Sequence, residues 1–362
     1  MGHLALSATP SQVWSQQIAK TSKKERLAAS PVVAGGKLFV MDTDGQVHAL
    51  AADTGAELWR AATVKADGNK TARFGGGVSV SGDHVFATNG LGDVVALKVA
   101  DGTELWRKRP GGPLRGAPTL ANGNAYVLTQ DNQLFVMSQE NGDVSWTASA
   151  SLESQGVFGV AAPASAQGTV IAGFSSGELN AYRYENGRSL WSDVLSRSSM
   201  STSVSSLSDI DAEPVIDQGR VYAVGQGGRM VAMDIATGNR MWEQNIAGIS
   251  TPWVAGEWLF VVTDDARLLC LSRTSGKVRW ISQLKRYKND KKPKNPWGWV
   301  GPVLAGGKLI LGSTRGELAF VSPADGSVSS TIELKAPISL QPVVVNNMLY
   351  ILDDKGRLTA FR

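Results

Sequence analysis

The chain has 362 residues, 43% hydrophobic and 19% charged, with 40 Gly and 14 Pro, a balance that excludes a disordered or coiled-coil protein. A single cysteine excludes an internal disulfide framework and a multi-cysteine metal site, and no apolar run approaches the roughly 18 residues of a membrane-spanning helix. The formal charge of +4 invites a nucleic-acid reading, but its source is local: Gln283 to Pro296 carries six cations against Asp290, so the rest of the chain sums to −1.

In chain order, residues 1–10 read as a flexible leading segment whose first three residues look like a cloning remnant. Native targeting information is expected to be missing from this segment. "SQVWSQQ" at 11–17 follows, a lone strand centred on Trp14. From there the chain is periodic. "SPVVAGGKLFVMDTDGQVHALAADTGAELW" (30–59) aligns without gaps with blocks ending at Trp106, Trp146, Trp191, Trp242 and Trp280, the first of these having Val78 where the others have Pro. A seventh block keeps the turn but has Ser330 at the Trp position, and an eighth, "QPVVVNNMLYILDDKGRLTAFR", stops before its last strand.

Each block reads as three short strands, with a turn Gly (55, 102, 142, 187, 238, 276, 326) four residues before the Trp position. A hairpin residue at positive φ explains that constancy, since a β-carbon would clash there. A fourth strand opens at the Trp, giving antiparallel units whose tryptophans stand 38 to 51 residues apart. Such sheets must bury both faces on neighbours, which makes them propeller blades. The expected fold is all-β, an eight-bladed β-propeller of four-stranded antiparallel blades occupying 11–362 as one domain. The ring is expected to close by pairing 11–18 with 341–362. Trp59, Trp106, Trp146, Trp191, Trp242 and Trp280 are then structural, filling gaps between blades while each indole N–H finds a carbonyl.

Catalytic chemistry is thinly represented. His3, His48 and His84 are scattered and read as surface or packing residues, without a triad or metal site. Cys270 stands where Ala stands in most blocks and reads as a buried packing residue. Asp residues concentrate at turns, where they cap backbone amides. Three connections depart from the short norm: 61–76, 193–212 and 282–299.

"AMDIATGNRMW" (232–242) resembles the docking motif of the quinoprotein, or PQQ-like, propeller repeat, and the likeness covers nearly the whole chain. That family includes quinone-dependent dehydrogenases, so a small-ligand sensor or quinoprotein dehydrogenase is the alternative reading; against it stand the short chain and the absence of paired cysteines. "LSDIDAEP" (207–214), after a Ser-rich loop between the fourth and fifth blocks, resembles the BamB family of β-barrel assembly lipoproteins. This resemblance implies a non-enzymatic, cofactor-free scaffold of the BAM complex at the periplasmic face of a Gram-negative outer membrane. Its implied partners are the POTRA domains of BamA and unfolded outer-membrane protein clients. No nucleic acid is implied, the membrane is approached through a lipid anchor, and the isolated chain is expected to be a monomer.

Carried over by motif, Asp209 and Asp211 become partner-contacting residues, expected to be exposed carboxylates that pair with cations on BamA. The alternative is a local turn in which Asp209 caps the Ile210 and Asp211 amides. A second contact loop corresponds to Ser154–Pro163, where Val157 and Phe158 offer apolar contact but the family's Arg is missing. The basic loop, with Lys285, Arg286, Lys288, Lys291, Lys292 and Trp297, is a candidate for membrane or partner contact, against the simpler reading of a solvated loop whose Trp pair covers a blade.

Overall fold

A computed structural model describes residues 10–19, 27–64, 75–151, 161–195, 209–289 and 293–362. Among them are 32 strands in eight four-stranded antiparallel sheets. The first complete blade runs β2 (Val32–Ala34), β3 (Lys37–Met41), β4 (Gln46–Ala51), β5 (Glu57–Ala62), from the ring axis outward. The next six blades repeat this order.

The last blade is built from both chain ends. β1 (Gln12–Gln17) pairs antiparallel with β32 (Arg357–Phe361), Trp14 opposite Ala360, in a sheet ordered β1–β32–β31–β30, with β30 (Val343–Val345) innermost and β31 (Met348–Leu352) next to it. The Ser11 and Arg362 backbones exchange two hydrogen bonds of 2.8 and 3.0 Å. Closure therefore follows the sequence expectation.

The middle strands are buried on both faces, and the core lies between blades rather than within any one. Leu38, Val40 and Leu50 of the first blade pack on Tyr350, Leu352 and Leu358 of the closing blade, while Phe39, Val47 and Ala49 pack on Val85, Ala87 and Val95 of the second. The docking tryptophans staple these junctions. Trp59 Nε1 donates to Val99 O at 3.0 Å, Trp106 to Gln139 O at 3.1 Å, and Trp242 to Arg273 O at 2.9 Å, each acceptor lying at the outer hairpin of the following blade.

That geometry adds a second reason for the turn glycines. Gly102 has φ +75°, and a β-carbon on it would stand 2.6 Å from the Trp59 ring. The indole of one blade lies flat on the hairpin glycine of the next, so the Gly and Trp of the repeat meet across blades. Ser330 becomes intelligible too. A Trp there would dock on the outer hairpin of the closing blade, where the chain is cut between Arg362 and Ser11.

Antiparallel order puts the connections between blades at the same end of the ring as the middle hairpins of each blade. Hydrogen bonds tie the two together: Gln130 N to Pro113 O, Gln226 N to Asp209 O, and Thr314 N to Gly298 O, at 2.8 to 3.0 Å. We call this end the connection face; the Trp-bearing hairpins mark the opposite one. The described ends of the three long connections expected from the sequence lie on the connection face, as do those of the stretches between β1 and β2 and between β13 (Val144–Ser149) and β14 (Ala164–Ala166).

Candidate functional site on the connection face

The expectation that Asp209 and Asp211 are exposed is corrected by the structure. Asp209 is 2% exposed and the Asp211 side chain about 10%, because both turn inward onto Arg115, itself 1% exposed. Arg115 leaves the connection between the second and third blades. Its Nη2 donates to Asp209 Oδ1 at 2.9 Å and Asp211 Oδ1 at 3.2 Å, and its Nη1 to Gly173 O at 3.4 Å in the fourth blade. Gln226, on the middle hairpin of the fifth blade, donates through Nε2 to Asp211 Oδ2 at 2.7 Å. One guanidinium thus ties the connection between the second and third blades to the one between the fourth and fifth, and both to a strand end of the fourth blade. The local capping alternative is not what Asp209 does: Oδ1 is committed to Arg115, and Oδ2 is buried without a hydrogen-bond partner.

Two carboxylates share one cation, and the electrostatics show the shortfall. Burial, then the neighbouring Asp209 charge, pushes the Asp211 carboxyl up to about 7, against the opposing pull of Arg115. Glu213, two residues on, keeps solvent contact, yet the surrounding protein raises its carboxyl, offset only partly by the Ala162 amide. Asp264, on the middle hairpin of the sixth blade, is raised by the same desolvation and by Asp265. This sector of the face is acidic. The adjoining basic loop follows β25 (Val278–Gln283), so charge of both signs is displayed side by side.

Of the basic-loop candidates, Lys285, Arg286 and Lys288 are exposed and Trp297 is half-buried. Lys291 and Lys292 lie outside the described residues, as do Val157 and Phe158. Arg115 is the site residue that sequence reasoning missed. Its signal was "PLRGAP" (113–118), a Leu-Arg pair before an Ala-Pro, one block earlier than the loop in which the family's Arg was sought.

Elsewhere, His48 departs from the simple packing expectation. It is buried, with Nε2 2.9 Å from Asp42 Oδ2 and Nδ1 3.1 Å from Glu57 Oε2. Asp42 also caps the Asp44 and Gln46 amides, as expected of a turn Asp. Cys270 is buried, and burial pushes its thiol up to about 11, which agrees with a packing role. Among the described residues no group of three or more His, Cys, Asp or Glu is placed to hold a metal ion.

Fold and docking motif define the class: an eight-bladed propeller of quinoprotein-type repeats. The chain belongs to the family of the outer membrane protein assembly factor BamB, whose profile matches residues 1–71, 63–282 and 285–362. A curated member from Yersinia pestis is 28% identical across 98% of this chain and 89% of its own length. The crystal structure of BamB from Moraxella catarrhalis superposes with a TM-score of 0.82 at 19% identity, covering 98% of this chain and all of that one. A europium-containing methanol dehydrogenase superposes at 0.74 with 15% identity, over 94% of this chain and 84% of its own, a likeness of fold alone.

Proposed function

We propose that this chain is a non-enzymatic scaffold subunit of the BAM complex, docking through its connection face to the periplasmic POTRA domains of BamA and so assisting the folding and insertion of outer-membrane β-barrels. It works at the periplasmic side of the outer membrane of a Gram-negative bacterium, held there by a lipid anchor. The observation that carries the reading is the Arg115–Asp209–Asp211 knot. A fully buried cation and two carboxylates are costly to assemble, and ion pairs of this kind serve best where they specify one arrangement of the chain. Here the arrangement specified is how Arg115, in the connection between the second and third blades, sits against Asp209 and Asp211, at the end of the connection between the fourth and fifth.

In this reading Asp209 and Asp211 are chiefly positioning residues. They hold the ends of the docking connections, and only the slightly exposed edge of Asp211 is left for a partner's cation. Family membership supports the assembly role, and the two-signed face supports a protein partner, because complementary charge sets register and encounter rate. A photocrosslinking residue at Asp264, on the connection face, is expected to capture POTRA domains, whereas one at Glu140, on an outer hairpin of the opposite face, is not. Capture from Glu140 alone would move the docking face and overturn the proposal.

A further inference from the structure

Eleven large apolar side chains are exposed among the described residues, and ten of them lie on the outermost strands of the blades, where β-branched and long aliphatic residues suit a sheet edge. The exception is Ile249, 48% exposed, in the short connection between the fifth and sixth blades. No strand accounts for it.

The local backbone does. Along residues 246–250 the side chains alternate: Ile246, Gly248 and Ser250 are buried, Ala247 is half-buried, and Ile249 faces solvent. A β-carbon on Gly248 would stand 2.9 Å from Val262 O, so the absence of one lets the chain lie close on the sixth blade. Hydrogen bonds fix both sides of Ile249: Asp264 N donates to Ala247 O at 3.2 Å, and Glu213 N to Thr251 Oγ1 at 3.2 Å. Ile249 is therefore presented by a segment already held in place, which lowers the ordering cost of binding to it.

The donors of those two bonds are acidic residues. Glu213 and Asp264 are both exposed, and neither forms an ion pair among the described residues, whereas Asp265 is paired with Arg267 at 2.8 Å. The surrounding protein raises both free carboxyls, and a cation brought against them would offset that. Glu213 is also two residues from Asp211, so the acidic frame is continuous with the Arg115 knot.

We propose that Ile249 is the apolar anchor of the connection face and that, framed by Glu213 and Asp264, it receives a partner segment presenting an apolar side chain flanked by Lys or Arg. The inference rests on the docking reading above and gives that reading a recognition chemistry. An anchor of this kind acts when a partner closes over it and excludes water, while the carboxylates at its rim steer encounter and set register. Lipid head groups of negative charge and nucleic acid do not fit, because the frame repels them.

The test is kinetic titration of the full chain with soluble POTRA domains at low and high salt. Ile249→Ala should weaken binding roughly 10-fold or more, chiefly through faster dissociation. Glu213→Gln/Asp264→Asn should instead slow association and flatten its salt dependence. Val278→Ala, on β25 and 43% exposed at the perimeter, is the control and should bind as the parent does. Parent binding that is unchanged in Ile249→Ala, or that falls equally in Val278→Ala, would overturn this inference and leave the docking reading intact. A carboxylate variant with the parent's association rate and salt dependence would overturn the cationic chemistry of the partner. Absence of saturable binding by the parent would overturn both the docking reading and the inference.

Discussion

Arg115 and Asp209 stand 94 positions apart in sequence and 2.9 Å apart in space, and both are almost fully buried. Removing one member of such a pair leaves its partner as an uncompensated buried charge, which costs about 3–5 kcal/mol. Arg115→Met is expected to lose stability on that scale in urea unfolding. Arg115→Met/Asp209→Asn/Asp211→Asn should recover part of the loss, because no net charge then remains buried. A triple variant no more stable than the single one would show that the knot holds by shape and not by charge.

Asp211 adds a pH dependence of definite sign. Its carboxyl is raised in the folded protein to about 7 from an ordinary value of 3.8. Between those values the folded state therefore holds a proton that the unfolded chain has released. Stability falls as pH rises from about 4 to about 7, and the penalty is fully present above 7. Asp211→Asn should flatten this slope and gain roughly 1–3 kcal/mol at pH 8, a tenfold change in proton affinity being worth about 1.4 kcal/mol. The check is the unfolding midpoint of both proteins across that range; parallel curves would contradict it.

Two glycines separate backbone conformation from the Trp contact. Gly238 (φ +72°) would place a β-carbon 2.5 Å from Trp191 Cγ, whereas Gly256 (φ +55°) has nothing within 4 Å. Gly256→Ala is expected to cost about 1 kcal/mol, from the left-handed backbone alone. Gly238→Ala should cost about 3 kcal/mol, since a packed indole must also move. Ser330→Trp should bring no gain, because the closing blade has no hairpin to receive the ring. Thermal melts of the three variants decide.

His48 sits beside Val40 on the face that meets the closing blade, with a carboxylate against each ring nitrogen. His48→Leu leaves the half of this network around Asp42 unsatisfied and should cost about 2 kcal/mol. If His48 were only a space-filler, the leucine variant would be as stable as the parent in equilibrium unfolding.

The buried Cys270 thiol should resist alkylation in the folded protein and react once the chain is unfolded in denaturant. Rapid labelling of the native state would contradict the packing assignment.

The fold was legible because its determinants are local and repeated. Gly238 and Trp242 show a hairpin and an outer strand within five residues, and Trp14, stranded before the first block, shows where the ring closes. What joins Trp59 to Gly102 was not legible, since a repeat displays its own strands and conceals which neighbour they touch. The same limit governs the site. "LSDIDAEP" pointed to this connection, but nothing within it says that its carboxylates turn inward, because the reason is an arginine from another blade junction. His48 failed differently: Asp42 and Glu57 lie close in sequence, yet only the register of β4 against its neighbours brings them to one imidazole.

The central claim is that the buried knot organises a face that docks BamA. The most direct measurement is calorimetric titration of the full chain with soluble POTRA domains, alongside Arg115→Met, with circular dichroism confirming that the variant keeps its strands. The account predicts saturable binding by the parent and at least a tenfold loss in the folded variant, or about 1.4 kcal/mol. Absence of saturable heat with the parent, or equal affinity in the variant, would contradict it.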